Sequence, residues 1–240
     1  MLMYPQEYID DVLIRFAYNS NAIEGNTLTS GQTKAIILNE TVTVTGIEGV
    51  KLRDVYEASN QKDAFYTMLN LANNMTPLST DVVLNLHYEL TKNTIPTAGK
   101  FKQNDNYIIG ADFETSTVEN VPLDIKQWVD NTNYRLKNSK DDTEFVNILM
   151  DSHIQFERIH PFDDGNGRTG RELINLELAK KGLPFLVIEE REKNQYITFE
   201  DNQDYVSLGK FAQIKMAQEK KRYQSFLTKL KKQKDYETGK

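Results

Sequence analysis

A twelve-residue stretch, His160-Pro161-Phe162-Asp163-Asp164-Gly165-Asn166-Gly167-Arg168-Thr169-Gly170-Arg171, constrains this chain more than any other. Pro161 disfavours helical geometry at His160, so a helix arriving over 143–159 has to stop there. Gly165, Asn166 and Gly167 then permit a tight turn and a close approach of backbone N–H groups to a ligand. From Arg168 to Lys181 the pattern is helical again, which sets the loop amides at a helix N-terminus, a ready anion site. The expected layout is helix, glycine-rich loop, helix, with an imidazole, acids and guanidiniums gathered at the loop. Taken alone, Gly-Asn-Gly is an ordinary turn, and Arg168 with Arg171 an ordinary solvated face. The stretch is not a P-loop, because no Gly-Lys-Ser/Thr follows the glycines. Nor is it a dinucleotide fingerprint, because the element before it reads as helix rather than strand.

The rest of the chain narrows the chemistry. A net charge of −6 argues against general nucleic-acid binding through phosphates and favours a protein or nucleotide ligand served by a local cationic pocket. The absence of cysteine excludes disulfides, thiolate metal sites and cysteine catalysis. No apolar run is long enough to span a bilayer and no signal peptide is evident, so the expectation is a cytoplasmic protein without a membrane partner.

Periodicity predicts a mainly α fold. Tyr8, Ile9, Val12, Leu13, Phe16, Ala17 and Ile23 recur at helical spacing between Pro5 and Glu24, and Gly25 is placed to end that helix. Thr29 and Gln32 form a capping box for a short helix to about Leu38. The Thr/Val run over 41–45 reads as loop. Further helices are expected over 47–72, from a cap at Thr80, over 124–136, over 143–159 and 168–181, from Asn194, and over 205–230. Tyr107-Ile108-Ile109-Gly110, with Thr115 to Val118, breaks the rhythm and predicts a short β-hairpin. His87 reads as a packed or surface histidine. A metal site from His153, His160 and Asp164 is disfavoured, because Pro161 turns the chain between the ligands and zinc wants three or four that converge. The lysine-rich stretch 229–234 reads as a solvated helix end.

The residues of the loop suit phosphoryl or nucleotidyl transfer to a hydroxyl, which needs positioning and charge stabilisation along an in-line path. His160 is the natural base for the hydroxyl proton. Asp164 is a hard oxygen ligand suited to Mg²⁺, with Mn²⁺ as the substitute. Amides from Gly165 to Arg168 can cradle phosphates, with Asn166 as a side-chain donor and Arg168 and Arg171 as grips on the outer phosphates. Phe162 is expected to point into the core and anchor the loop.

The stretch resembles, without mismatch, the signature of Fic-domain proteins: His, any residue, Phe, any residue, Asp or Glu, Gly-Asn-Gly-Arg, two residues, Arg. Ser20-Asn21-Ala22-Ile23-Glu24-Gly25 matches the same family's inhibitory motif, with Ser20 and Glu24 on one helix face. The resemblance implies a helical Fic-type domain with a β-hairpin flap, here Tyr107, Ile108, Ile109 and Gly110, that docks the target's backbone. It divides the chain into an inhibitory segment, 1–45, and a catalytic unit, 46–240, within one compact whole. It implies transfer of AMP from ATP to a Ser, Thr or Tyr hydroxyl of a protein target, the chain itself included. On that template His160 is the base, Asp164 the Mg²⁺ ligand, Arg171 the γ-phosphate partner and Tyr196 part of the adenine pocket. Retention of Gly167 favours AMP transfer over phosphorylation. Glu24 would restrain the site by pairing with Arg171. The alternatives are removal of AMP at the same site, transfer of another nucleotide, and a non-catalytic binding module. Relatives form dimers or larger assemblies, which leaves a homo-oligomer open.

Overall fold

A computed structural model describes residues 4–41, 49–107 and 113–237, with side chains to 232. It contains nine α-helices among the described residues: α1 (Gln6–Ile23), α2 (Ser30–Ile37), α3 (Leu52–Asn73), α4 (Thr80–Thr91), α5 (Val121–Lys137), α6 (Asp142–Ile159), α7 (Asn166–Lys181), α8 (Lys193–Asp201) and α9 (Tyr205–Glu237). Their starts follow side-chain chemistry. The expected capping box opens α2, where Thr29 accepts from the Gln32 amide and Gln32 returns a bond to the Thr29 N–H. Asp141 caps α6 through the Glu144 amide. The cap of α4 is Ser79 rather than Thr80, its hydroxyl accepting from the Val82 N–H at 3.2 Å.

The centre of the molecule is α7, which packs on α3, α4 and α6. Every residue from Arg168 to Ala179 is buried, including Arg168, Arg171, Glu172 and Glu177. Behind it α6 rests on α5 and α9, and the Trp128 indole N–H of α5 donates to the Ser152 carbonyl of α6. The first helix belongs to this core. Tyr8, Val12, Leu13, Phe16 and Ala17 are fully buried, and each of the larger apolar side chains contributes roughly 1.5–3 kcal/mol of burial before entropy is charged. Asp11 bonds Arg222 through both carboxylate oxygens, and Arg15 bonds Glu219 at 2.8 Å, tying α1 to α9.

Two expectations change. The helix predicted from residue 47 begins at Leu52, and the Thr/Val loop lies outside the described residues from 42 onward. No strand occurs among the described residues, so the hairpin expected at 107–118 is not found. Ile108, Ile109 and Gly110 lie outside the described residues, while Tyr107 and 114–117 run in irregular backbone. The backbone of this connection is spent elsewhere. Lys102 N–H donates to Pro161 O at 2.9 Å and Ser116 N–H to Ile159 O at 3.2 Å, which binds both arms to the loop after α6.

Candidate active site

The loop between α6 and α7 is built in a sparsely populated backbone state. His160 closes α6 at φ 50°, ψ 61°, a left-handed conformation rare for a residue with a side chain. Pro161 excludes the helical alternative, and Gly165, at φ 83°, completes the turn. Because Gly165 takes the turn, α7 starts at Asn166, and the loop amides are the first turn of the helix itself.

Side chains lock this shape. Asn166 accepts from the Phe162 N–H at 3.0 Å and donates to Phe162 O at 2.9 Å, so its amide is committed to the loop rather than offered to a ligand. His87, from α4, lies flat on the Phe162 ring at 3.6 Å between centroids. Its Nδ1 accepts from Gly99 N–H at 3.0 Å, which leaves Nε2–H to donate to Asp164 O at 3.0 Å. Burial pushes its pKa down to about 4, so this bridge is neutral imidazole. Phe162 is buried as expected.

A cavity of about 320 Å³ opens over the loop, bounded by His160, Asp163, Asp164, Gly165, Gly167 and Arg171, by Glu24 from the end of α1, and by Tyr196 and Ile197 from α8. Nδ1 of His160 lies 3.3 Å from Glu157 O, a contact that requires Nδ1–H and leaves Nε2 as the basic nitrogen. Burial lowers the His160 pKa, opposed by the Glu157 carbonyl and assisted by the Lys102 charge. For Asp164 burial acts upward, but the Arg168 and Arg53 guanidiniums hold the carboxyl below its usual value. Glu157, whose Oε1 has no hydrogen-bond partner among the described residues, is pushed well up by burial and by Glu200.

The two signature arginines do different things. Arg168 is buried, with its guanidinium 3.2 Å from Glu57 and 3.1 Å from Asp164. Arg171 reaches the cavity and meets α1: Nε donates to Ser20 Oγ at 3.0 Å, and Nη2 donates to Ser20 O at 3.0 Å and to Glu24 Oε1 at 2.6 Å. The two parts of the chain that matched separate motifs are therefore in direct contact. Gly167 sits beneath this pair, and a Cβ there would come 3.0 Å from Arg171 Nη1 and closer still to Glu24. Tyr196 is buried, with its hydroxyl 2.5 Å from His153 Nε2 and its ring stacked on that imidazole. His153 thus faces Tyr196 and Glu200, not the loop.

Sequence reasoning missed Glu57 and Arg53, and for His87 it gave a packed or surface histidine without its bridging role. The Arg53–Glu57 spacing was a visible signal of an i, i+4 ion pair, bonded here at 3.0 Å. His87 gave none, because its two closest hydrogen-bond partners are backbone groups. Among the described residues, no group of three or more His, Cys, Asp or Glu side chains converges to hold a metal.

The N-terminus of α7, an imidazole with Nε2 basic and the Arg171 guanidinium, paired with Ser20 and Glu24, thus meet around one cavity of a helical protein. Residues 77–178 match the Fic/DOC family, and this chain carries a domain of that family. It is similar to protein adenylyltransferase fic-1 of Caenorhabditis elegans, with 32% identity over 75% of this chain and 34% of the relative. It is also similar to protein adenylyltransferase Fic of Nematostella vectensis, with 26% identity over 80% and 43%. The chain thus spans about a third of the nematode relative's length. Among solved structures, a Fic domain containing signaling protein from Bacteroides thetaiotaomicron superposes with a TM-score of 0.73 at 27% identity, over 81% of this chain and 73% of that one. A fragment of C. elegans Fic-1 gives 0.74 at 26% identity, over 97% and 68%. No described helix is long and apolar enough to cross a membrane.

Proposed function

We propose that this chain transfers AMP from ATP to a Ser, Thr or Tyr hydroxyl of a protein and releases pyrophosphate. The observation that carries the reading is a histidine with Nε2 basic, at one cavity with the amides that open α7. Nε2 of His160 takes the hydroxyl proton, the oxygen attacks the α-phosphorus, and the bond to the bridging oxygen breaks as pyrophosphate leaves. Amides of Asn166, Gly167 and Arg168 hold the phosphate oxygens, and Arg171 holds the outermost phosphate. Arg168 contributes from behind, by fixing Asp164. Tyr196 lines the part of the cavity left for the base. The names of the relatives support the same activity.

A divalent ion, Mg²⁺ or Mn²⁺, would neutralise and orient the triphosphate. Asp164 would serve it as one carboxylate ligand, with nucleotide phosphates and water supplying the rest of its shell. Glu24 acts as an internal restraint, occupying the Arg171 donor that an outer phosphate needs.

The test is incubation of the purified protein and its Glu24→Gly variant with lysate and ATP labelled at either the α- or the γ-phosphate. Protein labelling from the α position alone supports AMP transfer; labelling from the γ position, or none with either protein, rejects it. Glu24 shares the cavity with His160, which also suits it to orienting a water for removal of AMP. Loss of label from pre-modified protein in the same assay would assign that activity instead.

A further inference from the structure

Asp164 is fully engaged. Its Oδ1 accepts from the Gly165 N–H at 2.5 Å and from Arg168 Nη2 at 3.1 Å, and its Oδ2 accepts from Arg53 Nη2. Arg53 and Arg168 also share Glu57, at 3.0 and 3.2 Å, which closes a ring of four alternating charges between α3 and the loop. The ring is neutral without any added ion.

Its members are not equally fixed. The Arg168 side chain is 1% exposed and that of Glu57 7%, whereas Asp164 is 36% and Arg53 55% exposed. Glu57 is held further by the Asn26 side-chain amide at 2.9 Å. Withdrawing Arg168 from Asp164 would strand a buried charge, whereas withdrawing Arg53 returns a flexible guanidinium to water. Arg53 is therefore the one partner of Asp164 that can leave at low cost.

We infer that Arg53 is a stand-in cation, holding the Asp164 carboxylate until a nucleotide-borne divalent ion displaces it. This rests on the proposed role of Asp164 as a metal ligand. Arg53 is a positioning residue in this scheme: it keeps the loop charge-balanced when no metal is present and sets the affinity with which metal enters. The contact it gives up is a half-exposed ion pair, so removing the competitor should tighten metal binding about two- to fivefold. The difference should shrink as salt rises, because the competition is between charges near the surface.

The experiment follows Mn²⁺ by electron paramagnetic resonance in wild type, Arg53→Gln and Arg53→Lys, with a non-hydrolysable ATP analogue at saturation. Calorimetry of the analogue alone in chelator runs in parallel. Arg53→Gln is expected to bind Mn²⁺ about two- to fivefold more tightly, and Arg53→Lys to fall between it and wild type. Analogue affinity in chelator is expected to stay constant. Unchanged or weaker Mn²⁺ binding by Arg53→Gln, with an unaltered circular dichroism spectrum, overturns the inference. So does a loss of analogue affinity in chelator, which would make Arg53 a phosphate contact. If the wild type binds no analogue at all, the failure lies with the nucleotide reading itself.

Discussion

Glu24 Oε1 and Arg171 Nη2 stand 2.6 Å apart, across 147 residues of chain. The pair is backed by Ser20, which occupies two further donors of the same guanidinium. An ATP outer phosphate would need those donors, so the pair and a productive triphosphate compete for one group. Glu24→Gly is expected to raise AMP transfer roughly tenfold or more, since small misplacement of a reacting phosphate costs much rate. Arg171→Ala should abolish transfer, and the double variant should be as inactive as Arg171→Ala. Initial rates of α-phosphate labelling decide it. Unchanged or lower transfer by Glu24→Gly would remove Glu24 from inhibition.

His160→Ala should lower transfer by about 10²–10⁴ while ATP binding persists, because the amides that hold phosphate belong to the backbone. Burial depresses the imidazole pKa, so the basic form survives to lower pH than in an ordinary histidine. The acid limb of the rate profile is therefore expected below the usual histidine range. A limb above pH 7 would assign it to another group.

Gly165 is required twice over. Its φ of 83° disfavours any side chain, and an added Cβ would lie 2.7 Å from Thr91 Cγ2. Gly165→Ala should cost about 1–3 kcal/mol in denaturant unfolding. Adding Thr91→Ser removes the clashing methyl and should recover part of the loss, leaving the backbone strain.

His87 makes stability depend on pH. Its folded pKa is about 4, below the unfolded value of about 6.5, so the unfolded chain binds more protons between them. Stability should therefore rise with pH across that window and fall as acid is added, by up to about 3 kcal/mol. His87→Gln keeps a donor and an acceptor but does not titrate, and urea unfolding at pH 7 and pH 5 should show a smaller difference. An equal difference would locate the titration elsewhere.

Much of this was legible in the sequence, and the reasons are local. Pro161, the glycines, Gly25 and the Thr29–Gln32 box act on backbone next to them, so the helix order around the site followed from spacing. The Ser20–Glu24 and signature motifs identified the two sides of the Arg171 contact before any geometry was known. What was not legible depends on distant partners. Arg168 looks like a solvated residue on paper and is enclosed because Glu57 and Asp164 meet it from other elements. Glu172, equally charged, is buried with Gln61, and burial pushes its pKa up to about 8. The break in helical rhythm after Tyr107 suggested a hairpin, but the described arms give backbone bonds to the loop instead.

The clasp between α1 and α9 has a consequence in time. Arg15 and Glu219 are 204 residues apart, and Asp11 and Arg222 are 211 apart. During synthesis at about 5–20 residues per second, α1 leaves the ribosome roughly 10–40 s before these partners do. Until then Tyr8, Asp11 and Arg15 lack the helix against which they pack, and the helix bearing Glu24 is only partly seated. The contact between Glu24 and Arg171 thus draws part of its support from α9, about 200 residues further along the chain.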